Sequence, residues 1–434
     1  MPPSLSPGRR TAIVAGCRTP FIKAWTHFNR LGAVDLGKIA VTELLARSGI
    51  DAPHIDQMIF GVVVQALKMP NIAREIALGC GIPPRVPAYT VSLACISSLV
   101  AIANGVDQIA AGLADVIVAG GAESLSDVPL TFGKRARDLF LELNRGRNFR
   151  QKLSTGLKFK FRDFIPDAPA LEEPSTGLTM GQSAEQMAQL NGISRQEQDE
   201  FALLSHIRAS AAQHKGILRS EISPAFLVEE KKVVQEDNVI RHDASLESMA
   251  GLEPVFDRRY GTITAANASP LTDGAAAVML VSEEKAQSLG VKPLAFVRSY
   301  AFSAHSPKDQ MLMGPAYATP VALDRAGIKW DDLSAIEMHE AFAASVLSTI
   351  KMFESRKWAE EKLNRSEPIG EVDYEKLNRY GGSIAIGHPF AATGARMVTT
   401  LANELVRTQS EFGLVTACAA GGHGGAMVLE HNNI

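Results

Sequence analysis

The sequence is short of cysteine. Four occur in 434 residues, Cys17, Cys80, Cys95 and Cys418, and none sits in a Cys-x-x-Cys pair. A zinc ribbon or disulfide framework is therefore not expected, and a reducing compartment fits better. An excess of charge of either sign is also missing. The 44 Lys and Arg against 47 Asp and Glu leave a net charge of −3, which gives no global case for nucleic acid. No run approaches the about 20 uncharged apolar residues that a spanning helix needs. Residues 1–10 contain Pro and two Arg without an apolar stretch, so neither a secretory signal nor a transit peptide is read there. There is no Gly-Lys-Ser/Thr phosphate loop. The glycines from Gly421 to Gly425 follow a helix-like run and do not open a strand–helix unit, which sets aside a dinucleotide fingerprint.

What is present is an alternation of strands and helices, which argues for α/β layers. Residues 11–16, 114–121 and 414–418 read as strands. At this length a single ordinary core is too small, so two or three domains or a duplicated fold are expected. The two ends of the chain echo each other. Residues 44–60 and 322–339 each run from a helix end through a glycine and an isoleucine (Gly49-Ile50, Gly327-Ile328), then acidic residues, then an apolar strand. Cys95 precedes one helix and strand, and His388 precedes another (393–406, then 414–418). A duplication would place Cys95 and His388 at equivalent helix starts, facing each other across a pseudo-twofold. Residues 129–249 are polar, with helical periodicity over 183–213, and read as an insert. Residues 263–266 are strand-like, and 275–281 return to core material.

Cys95 is the residue on which the chemistry turns. A β-prone stretch, 88–91, precedes it. Leu99, Val100, Ile102, Val106 and Ile109 recur after it at helical steps, so a mostly buried helix starts almost at the thiol. The positive end of the helix dipole favours thiolate there. Three further places concentrate Gly, Cys and His: Glu337-Met338-His339-Glu340-Ala341-Phe342, Gly387-His388-Pro389 after Gly381-Gly382-Ser383, and Cys418-Ala419-Ala420-Gly421-Gly422. Glycines there let backbone N–H groups approach a ligand or face an oxyanion. His339-Glu340 begins like a zinc-protease helix, but Ala343 stands where the second histidine belongs, so no metal is expected.

These four motifs resemble those of thiolases and occur in that family's order. Ala119-Gly120-Gly121-Ala122-Glu123-Ser124, Met180-Gly181, Ser205-His206 and Asn267-Ala268-Ser269 match as well. Within the family, His339 in place of the commoner Asn and the Cys418 motif resemble the thiolase (β) subunit of the fatty-acid-oxidation trifunctional complexes. The resemblance implies a duplicated five-layered α/β/α/β/α fold with an inserted loop domain. The halves would span 1–128 with 250–290 and 291–434, and the insert 129–249.

The implied activity is thiolytic cleavage of 3-ketoacyl-CoA in fatty-acid β-oxidation. The alternative is a biosynthetic acetoacetyl-CoA thiolase running condensation with the same residues. The resemblance makes Cys95 the nucleophile, His388 its base, and Cys418 the acid/base at the second carbon. His339 would hold a water at the enolate oxygen, and the N–H groups of Cys95 and Ala420 would meet the tetrahedral oxygen. Ser269 would line the pantetheine channel, while Asn267 would brace the site. Ala420 replaces the usual Gly, so its N–H serves only if the local φ is negative.

No bound cofactor is implied; coenzyme A is a co-substrate. The implied assembly is a homodimer core with a hydratase/dehydrogenase partner (α2β2), located in the cytoplasm. Residues 134–162 carry ten Lys and Arg against Asp138 and Glu142, interleaved with Leu and Phe. That pattern suits the inner membrane surface, a partner surface, or the acyl or CoA entrance, where the basic residues would meet CoA phosphates.

Overall fold

The computed structural model describes residues 9–166 and 172–431. Its first half comprises β1 (Thr11–Arg18), α1 (Ala33–Ser48), β2 (Gln57–Gly61), α2 (Ile72–Gly79), β3 (Ala88–Val91), α3 (Ser97–Ala110), β4 (Val116–Glu123) and β5 (Thr272–Ser282). The sheet order is β3-β2-β4-β5-β1. β2 runs parallel to β3 and β4, and β5 antiparallel to β4 and β1.

The second half repeats this plan. It comprises β6 (Ala295–Ala304), α4 (Gly314–Ala326), β7 (Leu333–Met338), α5 (Ala343–Phe353), α6 (Thr393–Thr408), β8 (Phe412–Ala419) and β9 (His423–Glu430). The order is β7-β8-β9-β6, with β7 parallel to β8 and β9 antiparallel to both neighbours. Where the first half has β3, the second keeps only a bridge. The Ile336 N–H donates to the Lys376 carbonyl and the Asn378 N–H to the Ile336 carbonyl, both at 2.8 Å. The sheets join at Ala12–Phe296 and Ile13–Ala295.

The sequence echo maps onto one repeated connection. α1 and α4 end at Gly49 (φ 65°) and Gly327 (φ 72°), the left-handed caps that glycine adopts without penalty. A 3-10 turn follows each, Ala52–His54 and Trp330–Asp332, and then β2 or β7. These are local signals, which is why they survive in the sequence.

Three cores separate five layers. Leu36, Val41 and Ile76 of α1 and α2 cover the outer face of the first sheet. Leu99, Ile102 and Val106 of α3 pack with Val398, Leu401 and Leu405 of α6 between the sheets. Ala318, Leu323, Val346 and Ile350 of α4 and α5 cover the outer face of the second. Each such Leu, Ile or Val contributes about 1.5–3 kcal/mol on full burial, so the two central helices, buried on both faces, are the best anchored.

The chain between β4 and β5 serves both halves. The periodicity over 183–213 resolves into two helices, Met180–Asn191 and Arg195–His214, separated at Gly192 (φ 60°). Their Ala184, Met187 and Phe201 complete the outer core of the second half. A hairpin, Ala225–Leu227 with Lys232–Val234, adds to the outer core of the first.

The strand expected at 263–266 is a loop. Side chains take the backbone donors that a neighbouring strand would have used. The Glu185 carboxylate accepts from the N–H groups of Thr262 and Ile263, and the Asn267 side chain accepts from that of Thr264. Among the described residues no helix is long and apolar enough to cross a membrane.

Candidate active site

Cys95 lies in the turn between β3 and α3. The residue before it, Ala94, has φ 44°, a left-handed conformation that costs a non-glycine residue about 1–2 kcal/mol. Buried Ser97, the first residue of α3, holds the turn. Its hydroxyl donates to the Ala94 carbonyl at 2.7 Å and accepts from the Leu93 N–H at 2.8 Å.

The thiolate preference expected from the helix start is not what the surroundings produce. Burial pushes the Cys95 thiol from 9.0 up to about 12, against the N–H of Ala420 and its own N–H, which favour the anion; Glu123 adds repulsion. A helix dipole is worth about 0.3–1 kcal/mol, and desolvation outweighs it here. Cys95 therefore rests as a thiol and needs a base.

Two imidazoles stand beside it. His388 follows Gly387 in the loop before α6, and its Nδ1 lies 2.6 Å from Oγ1 of Thr393, the first residue of that helix. It does not itself open α6, since the 3-10 turn Phe390–Ala392 intervenes. His339 follows β7. Its N–H donates to the Thr416 carbonyl at 2.9 Å, and its Nδ1 lies 2.9 Å from Oγ of Ser383. The ring centroids are 4.1 Å apart, and both Nε2 atoms are buried without a protein partner. Burial, and then Arg396, takes His388 down to about 3. Burial, His388 and Arg396 hold His339 well below the ordinary range. Both rings are neutral at pH 7.

The Cys95 sulfur and one ring nitrogen of each histidine lie within 4.8 Å of one another, the one group with metal-ligand spacing among the described residues. A cation there would occupy the sulfur and the lone pairs that thiol chemistry uses. Glu340, beside His339, is committed elsewhere: it accepts from Ser205 at 2.7 Å, Asn378 at 2.6 Å and the Ile384 N–H at 3.2 Å.

Cys418 is the penultimate residue of β8 and is buried; its thiol is raised first by burial and then by the neighbouring Cys95. Ala420 follows β8 and is not among the positive-φ residues. Gly421 (82°) and Gly422 (74°) take the left-handed positions of that turn. Alanine is accommodated without strain, and its N–H reaches the Cys95 sulfur. The N–H groups of Ala420 and of Cys95 itself both favour the anion at this thiol. Ser269 sits in the adjoining loop, half-buried, with its N–H on the Ala341 carbonyl at 3.0 Å. That loop also bridges to Phe342 and His388. Asn267 donates to Asp199 at 2.9 Å and to the Thr262 carbonyl, and so braces the loop.

Several residues of the site are given no role by the sequence, even where they lie inside a quoted motif, as Ser383, Glu123 and Glu337 do. Ser97, Ser383 and Thr393 are ordinary helix-start residues until their partners are known. Glu123 is fully buried and accepts from the N–H groups of Val63, Val64 and Ala391 at 2.9–3.2 Å; burial pushes it up to about 7. Beside it, a Cβ on Gly121 would lie 2.1 Å from the Ala391 carbonyl oxygen. The glycines of β4 thus admit the His388 loop onto the first sheet. Glu337 pairs with buried Arg396 at 2.8 Å, and burial pushes its carboxyl up to about 8.

Comparisons with known proteins identify the family. The thiolase N-terminal domain matches residues 11–284 and the thiolase C-terminal domain residues 291–431. The chain is 53% identical over 423 residues to the 3-ketoacyl-CoA thiolase of Yersinia enterocolitica, covering 98% of this chain and 97% of that protein. It is equally similar to that of Yersinia pestis. Among solved structures it superposes on the acetyl-CoA acetyltransferase of Bacillus anthracis with TM-score 0.84 at 32% identity, covering 98% of this chain and 99% of the other. For human mitochondrial 3-ketoacyl-CoA thiolase the values are 0.83 and 30%, with 99% and 100% covered. The chain belongs to the thiolase family.

Proposed function

We propose that the chain cleaves 3-ketoacyl-CoA with coenzyme A, giving acetyl-CoA and a shortened acyl-CoA, as an acyltransferase of fatty-acid degradation. The observation that carries the reading is the Cys95 sulfur within 4.8 Å of a ring nitrogen of each of two neutral, buried imidazoles, with a second thiol, Cys418, beside it. His388 takes the thiol proton, and the Cys95 sulfur attacks the C3 carbonyl. The N–H groups of Cys95 and Ala420 meet the resulting oxyanion. The C2–C3 bond breaks, leaving the acyl group on Cys95 and an enolate of acetyl-CoA. Cys418 protonates that carbon. The enolate oxygen faces His388 and His339, either directly or through a water held by His339. Cys418 then takes the proton of the incoming CoA thiol, which attacks the acyl-enzyme and frees Cys95. Ser269 lines the path to the site. No resident cofactor takes part in this scheme. Acetoacetyl-CoA synthesis would run the same steps backwards.

The test is thiolysis by purified protein of short- and long-chain 3-ketoacyl-CoA, with mass spectrometry after incubation without free CoA. Acyl mass on Cys95 is expected; acyl mass on Cys418 or Cys80 would overturn the assignment.

The assembly belongs to the same proposal: a homodimer core, in the cytoplasm, that recruits two hydratase/dehydrogenase chains. The division into halves 1–128 with 250–290 and 291–434, around an insert 129–249, is part of it. Residues 134–162 would meet the inner membrane surface or the partner. In support, Phe149 at the start of the helix Phe149–Gly156, Leu157 just past its end and Phe161 in the following 3-10 turn are 78%, 80% and 86% exposed, in a segment that also carries the basic helix Lys134–Arg145. Anionic lipid would contribute about 1 kcal/mol per basic residue near the surface. Flotation with anionic vesicles should fall with salt, and fall again when Lys134, Arg135, Arg137 and Arg145 are changed to Glu. Unchanged flotation in that variant, or none in the wild type, would leave only the partner surface.

A further inference from the structure

We infer that two hydroxyls outside the reacting group, Ser383 and Thr393, assign different tasks to two adjacent histidines: Ser383 locks His339 as a neutral N–H donor, whereas Thr393 lets His388 load and unload a proton. The inference rests on the proposed thiolysis. It makes Ser383 and Thr393 positioning residues.

The hydrogen on each hydroxyl decides its role. Ser383 Oγ has two partners, His339 Nδ1 at 2.9 Å and Arg396 Nη2 at 3.3 Å. A guanidinium can only donate, so Arg396 takes a lone pair of the hydroxyl. Its hydrogen then has one acceptor among the described residues, His339 Nδ1. A neutral ring that accepts at Nδ1 carries its proton at Nε2. That Nε2 is buried and has no protein partner, so it presents an N–H to the site. Protonating Nδ1 as well would strand the hydroxyl hydrogen of a fully buried serine without an acceptor. Arg396, pinned by Glu337 at 2.8 Å, would add like-charge repulsion.

Thr393 differs in one respect. Its Oγ1 lies 2.6 Å from His388 Nδ1 and 3.1 Å from the Pro389 carbonyl oxygen. Its hydrogen therefore has a second acceptor. With that hydrogen on Pro389, Oγ1 accepts from Nδ1–H, and Nε2 keeps the lone pair a base needs. When Nε2 takes the Cys95 proton, the cation's Nδ1–H is still accepted. His388 can thus change charge without stranding a hydrogen, and His339 cannot. The two rings share burial and neighbourhood, so the hydroxyls decide which is the base.

The experiment separates proton removal from oxyanion stabilisation. Alkylation of Cys95 by iodoacetamide needs the thiol proton removed and no oxyanion donor; thiolysis needs both. Thr393→Val should slow alkylation and thiolysis about 10-fold or more, and Thr393→Ser should restore both. Ser383→Ala should leave alkylation at the wild-type rate and slow thiolysis about 10-fold or more. Equal slowing of alkylation by the two variants would overturn the assignment, as would unaltered thiolysis in Ser383→Ala. Nitrogen-15 NMR of histidine-labelled wild-type protein, with His339→Asn to identify the signal, requires no stable variant at 383. A protonated Nδ1 on His339 would refute the lock. Failure of 3-ketoacyl-CoA to acylate Cys95 would remove the thiolysis reading instead, and the alkylation contrast would still report on the hydroxyls.

Discussion

The junction before α3 and the junction before α6 occupy the same place in the two halves, yet they are built differently. In the first, Ala94 is strained and Cys95 stands two residues ahead of its helix, where its own N–H reaches its sulfur. In the second, Gly387 takes φ 108° and His388 stands five residues ahead of α6, with a 3-10 turn between. That distance lets the first hydroxyl of the helix, on Thr393, reach the rear nitrogen of the ring. A nucleophile that becomes an acyl carrier needs donors at its front. A base needs an acceptor at its back. Duplication supplied equivalent positions, and the local turn suited each to its chemistry.

The largest test of this contrast is removal of each group. Cys95→Ala should abolish thiolysis and acylation together. His388→Ala should lower thiolysis by about 10²–10⁴-fold while leaving Cys95 open to alkylation at high pH. Loss of alkylation at high pH in that variant would mean that His388 shapes the turn and does not serve as base. Cys418→Ala should also cost about 10²-fold or more in thiolysis. Acyl transfer from a simple acyl-CoA onto Cys95 should survive better than carbon–carbon cleavage; equal survival of both would end its role as proton carrier.

Smaller effects sharpen the backbone comparison. Gly387→Ala should destabilise by about 1–3 kcal/mol, since its φ is left-handed and its Cβ would meet Thr272 Cγ2 at 2.8 Å. Ala94→Gly should stabilise by less than about 1 kcal/mol, because relief of strain is offset by chain entropy. Urea midpoints of opposite sign are expected; the same sign would erase the distinction between the turns.

The last expected effect is a slope in pH. His388 has a folded value near 3 against 6.5 ordinarily, so the unfolded chain binds the extra proton first. Its contribution to stability is present above 6.5 and is lost as pH falls toward 3. Glu123, raised to about 7, acts oppositely: its contribution is present below 4.5 and lost as pH rises through 7. His388→Asn should therefore flatten the fall in urea midpoint between pH 7 and 5 relative to the wild type. An unchanged slope would show that His388 is not held neutral by burial.

Much of the fold was legible because its signals are local. The helix ends at Gly49 and Gly327, the acidic residues and apolar strands after them, and the apolar steps of α3 are each written within a few residues. Cys95, His388 and Cys418 stood out because their residue types carry chemistry. The strand expected at 263–266 failed because Glu185 and Asn267 claimed its donors, and side-chain partners across a loop leave no periodicity. The thiolate expectation failed for a related reason. A helix start is visible in sequence, while the burial that outweighs it comes from chain far away. Ser97, Ser383 and Thr393 were given no role because a hydroxyl's role is defined by what it faces.

The sequence by itself determined the elements, their duplication and the reactive residue types, since caps, turns and apolar spacing act over short range. Only the tertiary structure decided that Cys95 rests as a thiol, that the Ala420 N–H meets it, and which nitrogen of each imidazole carries the proton. Desolvation, the Ala420 N–H and the Ser383–His339 pair depend on atoms that distant chain brings within a few ångströms, and even the short-range Thr393–His388 pair forms only because the turn between them folds back.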